Sequence, residues 1–148
     1  MKKLILLFIF IPNILFAGSM KAIGVKGQEE NIDRVIKVSM YDNYYQPNSF
    51  KIKKNETIKF VVENKGQLVH EFNIATKEMH LKHQPEMMMM VEHEILLADK
   101  IDKKKMKEMS KKNPTMAHSH SNSVLLSPGE KAELIWKFSN TVDIEAAC

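Results

Sequence analysis

Short runs in which every second residue is apolar recur along this chain and most constrain its fold. The segment TIKFVVE at 57–63 and the segment KAELIWKF at 131–138 both show this period of two. Side chains of an extended chain alternate between two faces, so such runs predict strands with one buried face. The predicted buried residues are Ile58, Phe60 and Val62 in the first run, and Ala132, Leu134, Trp136 and Phe138 in the second.

Further segments have the same period and are separated by turn formers such as NKGQ and SPGE. They cover residues 34–40, 49–53, 68–74 and 141–148. The predicted fold is all-β, a sandwich of short strands over residues 34–148. At 148 residues the chain has the length of one domain.

The alternation breaks between residues 76 and 123, where the sequence is rich in Lys, Met and His. From Pro85 onward, apolar residues recur at intervals of four, four and three, the spacing of one helical face. Proline is favoured in the first turn of a helix, so the pattern predicts a helix that begins at Pro85. The residues of this stripe are Met87, Val91, Ile95 and Ala98.

The first twenty residues, MKKLILLFIFIPNILFAGSM, predict export from the cytoplasm. Two lysines, an apolar run and then small residues form the pattern of a secretory signal peptide, here residues 1–19. The apolar run is short for a membrane-spanning helix, although an uncleaved anchor is the alternative. Residues 20–33 are polar and are expected to form a flexible leader.

Charge and motif content argue against several classes of function. The formal net charge is +4, and loss of Lys2 and Lys3 leaves about +2, too little to favour nucleic acid. Neither a glycine-rich phosphate loop nor a nucleophile paired with a base stands out, so an enzyme is not expected.

Cys148, the single cysteine, falls on the predicted inward face of its strand, and His70 falls on the inward face of another. An exported chain leaves a lone thiol free, in an intermolecular disulfide, or bound to a metal. A buried histidine is commonly a hydrogen-bonded core residue. Imidazole and thiolate in one core are also a ligand pair suited to copper or zinc.

Several motifs together resemble one family, the cupredoxins, which include plastocyanin and azurin. The segment VSMYDNYYQPNSF, the motif GQLVHEF at 66–72, the Met- and His-rich insertion, and PGE followed by ELIWKF resemble its periplasmic copper-resistance-associated branch. This resemblance implies a Greek-key β-sandwich with a type 1 copper site, in which His70 and Cys148 are ligands. The family supplies a second His, a Met and a last strand after the Cys. The sequence ends at Cys148, and we expect a truncated cupredoxin with an incomplete site.

The insertion suggests a second way to bind copper. Imidazole and thioether groups are good ligands for Cu(II) and Cu(I) respectively. The candidate accessory ligands are His118, His120, His80 and His83. His118 and His120 could chelate from a loop, whereas His80 and His83 lie one helical turn apart. The methionine run is expected to serve mainly in packing.

These observations predict a periplasmic copper-binding protein that acts in electron transfer or copper tolerance. The alternative is a copper chaperone or sequestering module that uses the His- and Met-rich insertion. The expected partners are a copper ion and a redox or copper-transfer protein, without nucleic acid and without a membrane after cleavage of the signal peptide.

Overall fold

A computed structural model describes residues 23–139 and 145–147. These residues form eight strands in two sheets, with helices inserted between the fifth and sixth strands. The strands are β1 (Gly24–Lys26), β2 (Arg34–Tyr41), β3 (Tyr44–Gln46), β4 (Thr57–Asn64), β5 (His70–Ala75), β6 (Ser123–Leu126), β7 (Lys131–Phe138) and β8 (Glu145–Ala147).

The larger sheet has the order β1-β7-β4-β2-β3. Strands β2 and β4 run parallel, with Ile36 opposite Phe60, and the other neighbours run antiparallel. Strand β1 lies in the segment expected to be a flexible leader, yet it pairs with β7 at the edge of the sheet. The pairing gives this part of the chain backbone hydrogen bonds that its polar sequence did not reveal.

The smaller sheet has the order β6-β5-β8, with antiparallel pairs. Strand β5 is central in it, and every residue from His70 to Ala75 is buried. One face of β5 packs on the larger sheet through Phe72 and Ile74, and the insertion covers the other face. Side chains of consecutive β5 residues therefore lie in two different environments, the core between the sheets and the contact with the insertion.

The main core lies between the two sheets and confirms the alternation predicted for residues 57–63 and 131–138. The strand predicted at 49–53 is wrong, because these residues form no strand, although Phe50 and Ile52 still pack against the core. Phe60 is fully buried, and its ring lies 5.2 Å from that of Phe72 across the two sheets. The predicted fold class, a β-sandwich with a helical insertion, is therefore confirmed. The buried apolar residues of this core are Ile23, Val38, Met40, Ile58, Phe60, Val62, Phe72, Ile74, Leu126, Leu134, Trp136 and Phe138.

Asn64 joins the two sheets at the end of β4. Its amide nitrogen donates to the carbonyl oxygens of Leu68 (2.8 Å) and Leu126 (2.9 Å), and its amide oxygen accepts from the Gly66 backbone N–H (2.9 Å). A fully buried amide with its hydrogen bonds made is a strong local constraint. These bonds fix the turn that leads into β5.

The insertion contains helices α1 (Lys77–Glu92) and α2 (Lys103–Ser110), and two short 3-10 helices complete the structure at Glu29–Asn31 and Pro114–Ala117. The predicted helix start at Pro85 is wrong, because α1 begins eight residues earlier and Pro85 lies inside it. The hydroxyl of Thr76 accepts a hydrogen bond from the Met79 N–H, which caps the true start. The helix ends before Ile95 and Ala98, so the predicted stripe spans the helix and the following turn.

A second, smaller core holds the insertion together. Met90, Ile95 and Met116 are buried in it, with Met87 and Met89 partly buried against them, whereas Met88 is exposed. The expectation that the methionine run serves mainly in packing agrees with this arrangement, because unbranched Met side chains fill irregular gaps. Across the stretch that the structure describes, neither helix has the length and apolar character needed to cross a membrane.

Candidate metal centre

Three histidines from two distant segments converge beside strand β5. His83 comes from the middle of α1, and His118 and His120 come from the loop after the second 3-10 helix. Their ring centroids form a nearly equilateral triangle with sides of 5.2, 5.0 and 5.1 Å. The arrangement brings three imidazoles to one point without any of them being adjacent in sequence.

Local structure explains how the loop delivers its two rings. The side chain of Asn113 caps the 3-10 helix by accepting from the Thr115 N–H, and the chain then turns at His118 with a left-handed φ of 45°. Asn122 then ties the loop to β5, since its amide donates to Asn73 (3.0 Å) and to the Ile74 carbonyl (2.9 Å). The loop is therefore anchored at both ends.

Glu71 supplies a carboxylate at the base of the centre. Its side chain is only 2% exposed, and Oε1 lies 3.3 Å from Nε2 of His83 and 3.1 Å from Nε2 of His118. The two Nε2 atoms are themselves 3.3 Å apart. Ligands held 2.0–2.1 Å from one tetrahedral ion lie roughly 3.3 Å from each other. This triangle of atoms therefore has the spacing of a metal-binding set.

Glu86 supplies a second carboxylate from α1, one turn after His83. Its two carboxylate oxygens lie 2.9 and 3.1 Å from Nε2 of His120, and one is 3.6 Å from Nδ1 of His83. One ligand atom from each of His83, Glu86, His118 and His120 falls within 4.8 Å of the others. Three imidazoles and a carboxylate can serve as ligands of zinc, copper, iron or nickel.

The carboxylates change the proton affinity of the groups around them. Burial alone would raise the pKa of Glu71, but hydrogen bonds from His118 and His83 outweigh it and bring the pKa to about 2. The hydrogen bond to Glu71 in turn raises the pKa of His83, against the opposing effect of its own burial. The contacts with His118 and His83 therefore favour the charged form of the Glu71 carboxylate.

The sequence predicted part of this centre. Of the four predicted accessory ligands, His83, His118 and His120 come together, whereas His80 is not a member of the cluster. Sequence reasoning missed Glu71 and Glu86. Two signals were available in the sequence. Glu71 follows His70 in the motif GQLVHEF at 66–72, and His83 and Glu86 have the i, i+3 spacing of neighbours on a helix.

His70 lies on the opposite side of β5 from Glu71, so it is not part of the His cluster. Its ring is buried, and Nε2 lies 3.0 Å from Oδ1 of Asp42, which also accepts backbone N–H bonds from Gln67 (2.8 Å) and Leu68 (3.1 Å). Because that contact uses Nε2, only Nδ1 of His70 could bind a metal here. Cys148, the predicted partner ligand, lies outside the described residues.

Comparison with known protein families identifies the family of the chain. Residues 7–101 match the model of the cupredoxin-like domain, which is more than half of the sequence. The chain belongs to the cupredoxin-like family. The family resemblance that the sequence motifs indicated is thereby confirmed.

Relatives of this cupredoxin include proteins named copper-resistant cuproprotein CopI. The one from Pseudomonas aeruginosa is 31% identical, with 99% of this chain and 88% of the relative aligned. Those from Rubrivivax gelatinosus and Vibrio cholerae are 25% and 30% identical over 84% and 66% of the chain. The chain spans 62% and 44% of these two relatives, which are longer.

Replacing Gly66 in this cupredoxin by Ala should disturb the Asp42–His70 contact. A Cβ at this position would lie 2.2 Å from Oδ1 of Asp42 and 3.0 Å from Nε2 of His70. Since one of the two groups must move, we expect a loss of roughly 1–3 kcal/mol in the free energy of unfolding, as for other overpacked sites. Urea denaturation measures the loss, and nitrogen-15 NMR of His70 follows its ring.

Gly129→Ala is an informative comparison, because no atom lies within 4 Å of its added Cβ, although its φ of 79° adds backbone strain. An unchanged His70 spectrum in Gly66→Ala would contradict the assigned contact.

Proposed function

We propose that this cupredoxin binds copper in a copper-resistance role and holds an ion with His83, His118, His120 and Glu86. The observation that carries the proposal is the convergence of three imidazole rings, 5.0–5.2 Å apart, from segments separated by 35 residues. The relatives named as copper-resistant cuproproteins support copper as the ion. The proposed role of the site is to bind an ion or to pass it on.

The donor set fits copper on chemical grounds. Imidazole suits copper in both oxidation states, and for a given site of nitrogen and oxygen ligands Cu(II) binds more tightly than the other divalent first-row metals. The side chain of His118 is 4% exposed and that of His120 is 30% exposed. An ion therefore has a route in from the His120 side and a buried position next to His118. Bound copper contributes a positive charge that the two nearby carboxylates balance.

Sequestration outside the cytoplasm is the role that this centre favours. The N-terminal sequence has the pattern of a secretory signal, and the proposed place of action is the periplasm. The centre needs neither Cys148 nor a complete type 1 site, so it corresponds to the sequestering alternative that the insertion suggested.

A second candidate function is electron transfer at a type 1 site that includes His70 and Cys148. The observation that favours it is the Asp42 contact, which holds the buried His70 ring by Nε2 and leaves Nδ1 as the ligand atom. Hydrogen bonding of the second ring nitrogen is typical of histidines that bind metals. The two candidate functions are compatible, because His70 and the His cluster lie on opposite faces of β5.

Copper titration of three variants tests the proposal. We expect Cys148→Ser to keep a copper ion and the double variant His118→Ala/His120→Ala to lose it, by chelator competition and electron paramagnetic resonance. His93→Ala is the matched control, because His93 is an exposed histidine that is not a member of the cluster. If copper binding disappears in Cys148→Ser and persists in the double variant, the His cluster is not the copper site and the type 1 candidate is favoured.

A further inference from the structure

We infer that the Glu71 carboxylate is a further oxygen donor of the His cluster and makes the cluster a site for a divalent cation. This inference rests on the proposed function, in which that cation is Cu(II). Glu71 is not among the four residues that the proposed function assigns to the ion. It adds a second negative charge and a buried oxygen donor to the set. The consequence is a preference between the two oxidation states of copper.

Strand pairing and burial fix the position of the Glu71 carboxylate. Strand β5 pairs with β6 along this stretch, and Glu71 stands opposite Leu125. Its backbone carbonyl also accepts a hydrogen bond from the hydroxyl of Tyr45 at 2.5 Å. With its side chain fully enclosed, the carboxylate has little room to move. A ligand that is already in place costs less conformational entropy on binding.

A buried carboxylate also needs positive charge close by. Transfer of an ion from water to a protein interior costs several kcal/mol, so such groups are retained where a cation or metal balances them. The Nε2 atoms of His83 and His118 lie 3.3 and 3.1 Å from the Glu71 carboxylate. When these rings bind an ion through Nε2 they are neutral, and the ion itself must then balance the carboxylate.

The charge of the set distinguishes the two oxidation states. Neutral His83, His118 and His120 together with ionised Glu71 and Glu86 carry two negative charges. A divalent cation neutralises them, whereas Cu(I) leaves one negative charge in a largely buried site. Carboxylate oxygen is also a hard donor that suits Cu(II) better than Cu(I), for which thioether and thiolate sulfur are preferred. Charge and ligand type therefore favour the same ion.

Replacing Glu71 by Gln separates this inference from the proposed function. The amide keeps the shape of the side chain and removes the charge. We expect Cu(II) affinity to fall by about 10–100-fold, the usual effect of losing a carboxylate next to metal-binding histidines, and Cu(I) affinity to change by less than about threefold because Cu(I) does not need that oxygen. Chelator competition measures the affinity for Cu(II) in air and the affinity for Cu(I) in the presence of a reductant. Glu92→Gln, at the exposed end of α1, is the control with the same charge change.

The outcomes are distinct. If the wild-type chain binds no copper at the His cluster, the proposed function fails and this inference fails with it. If the wild-type chain binds copper there, and Glu71→Gln leaves Cu(II) affinity unchanged or weakens both oxidation states equally, only the inference on Glu71 is overturned. Should Glu71→Gln not fold, carbon-13 NMR of the wild-type Glu71 carboxyl during titration with diamagnetic Zn(II) decides the matter. A shifted carboxyl signal supports the inference, and an unmoved one overturns it.

Discussion

Replacing His83 by Ala is expected to weaken copper binding at the His cluster by about 100-fold or more, because even the hydrogen-bonding partners of metal ligands contribute 10–100-fold. His83 lies next to both other histidines of the cluster and next to Glu71. Its Nε2 faces both Glu71 and His118, and its ring also lies 5.0 Å from that of His120. Removing this ring deprives the ion of one donor and leaves Glu71 with one imidazole neighbour fewer.

The matched control for this variant is His80→Ala. His80 lies one turn earlier on the same helix, and both changes remove one imidazole from α1. Because His80 is not a member of the cluster, we expect copper affinity to stay within about threefold, the size of an ordinary surface effect. Isothermal titration calorimetry of both variants provides the measurement. Equal losses in the two variants would show that the helix pairs these histidines, as the sequence first suggested, and would contradict the assignment.

Replacing Phe60 by Ala is expected to lower the free energy of unfolding by about 3–5 kcal/mol, the usual cost of deleting a buried aromatic ring. Phe60 is fully buried at the centre of the sandwich, and its ring contacts those of Phe50, Phe72 and Phe138 at centroid distances of 5.3, 5.2 and 6.4 Å. The cavity would remove contacts from both sheets at once, since Phe72 belongs to β5 and Phe138 to β7.

Urea denaturation of the apo chain followed by circular dichroism measures this loss. Val35→Ala is the control, because Val35 is an apolar residue of the same sheet that is 53% exposed. Its expected effect is within about 0.5 kcal/mol, as for most surface substitutions. A loss below about 1 kcal/mol in Phe60→Ala would mean that the core closes around the missing ring or that Phe60 is not at its centre.

Most of the sandwich could be predicted from the sequence. The alternation in residues 57–63 and 131–138 identified the strands and their buried faces, and Phe60 and Trp136 lie where that pattern places them. The family was also accessible, since the motif around His70 and the Met- and His-rich insertion resemble cupredoxins. Strand periodicity is a local property of the chain, so neighbouring residues carry the information.

Other features could not be predicted from the sequence, because they depend on contacts between different helices and strands. Proline often marks the start of a helix, and Pro85 was interpreted in that way. The cap at Thr76 and the packing of Met90 against Ile95 and Met116 instead extend α1 on both sides of Pro85. Tertiary contacts outweigh the preference of a single residue. In the same way, residues 24–26 form a strand only because β7 offers an edge to pair with.

The sequence by itself determined the strand faces, the family and the four candidate copper ligands among the histidines of the insertion. Only the tertiary structure decided which histidines come together and that Glu71 lies next to them. His83 and His118 are 35 residues apart, and their Nε2 atoms meet at 3.3 Å because α1 and the anchored loop both pack against the outer face of β5. Period-two patterning indicates only that Glu71 is on the side opposite His70. Whether that side faces water or a cluster of histidines depends on long-range packing, which no local pattern encodes.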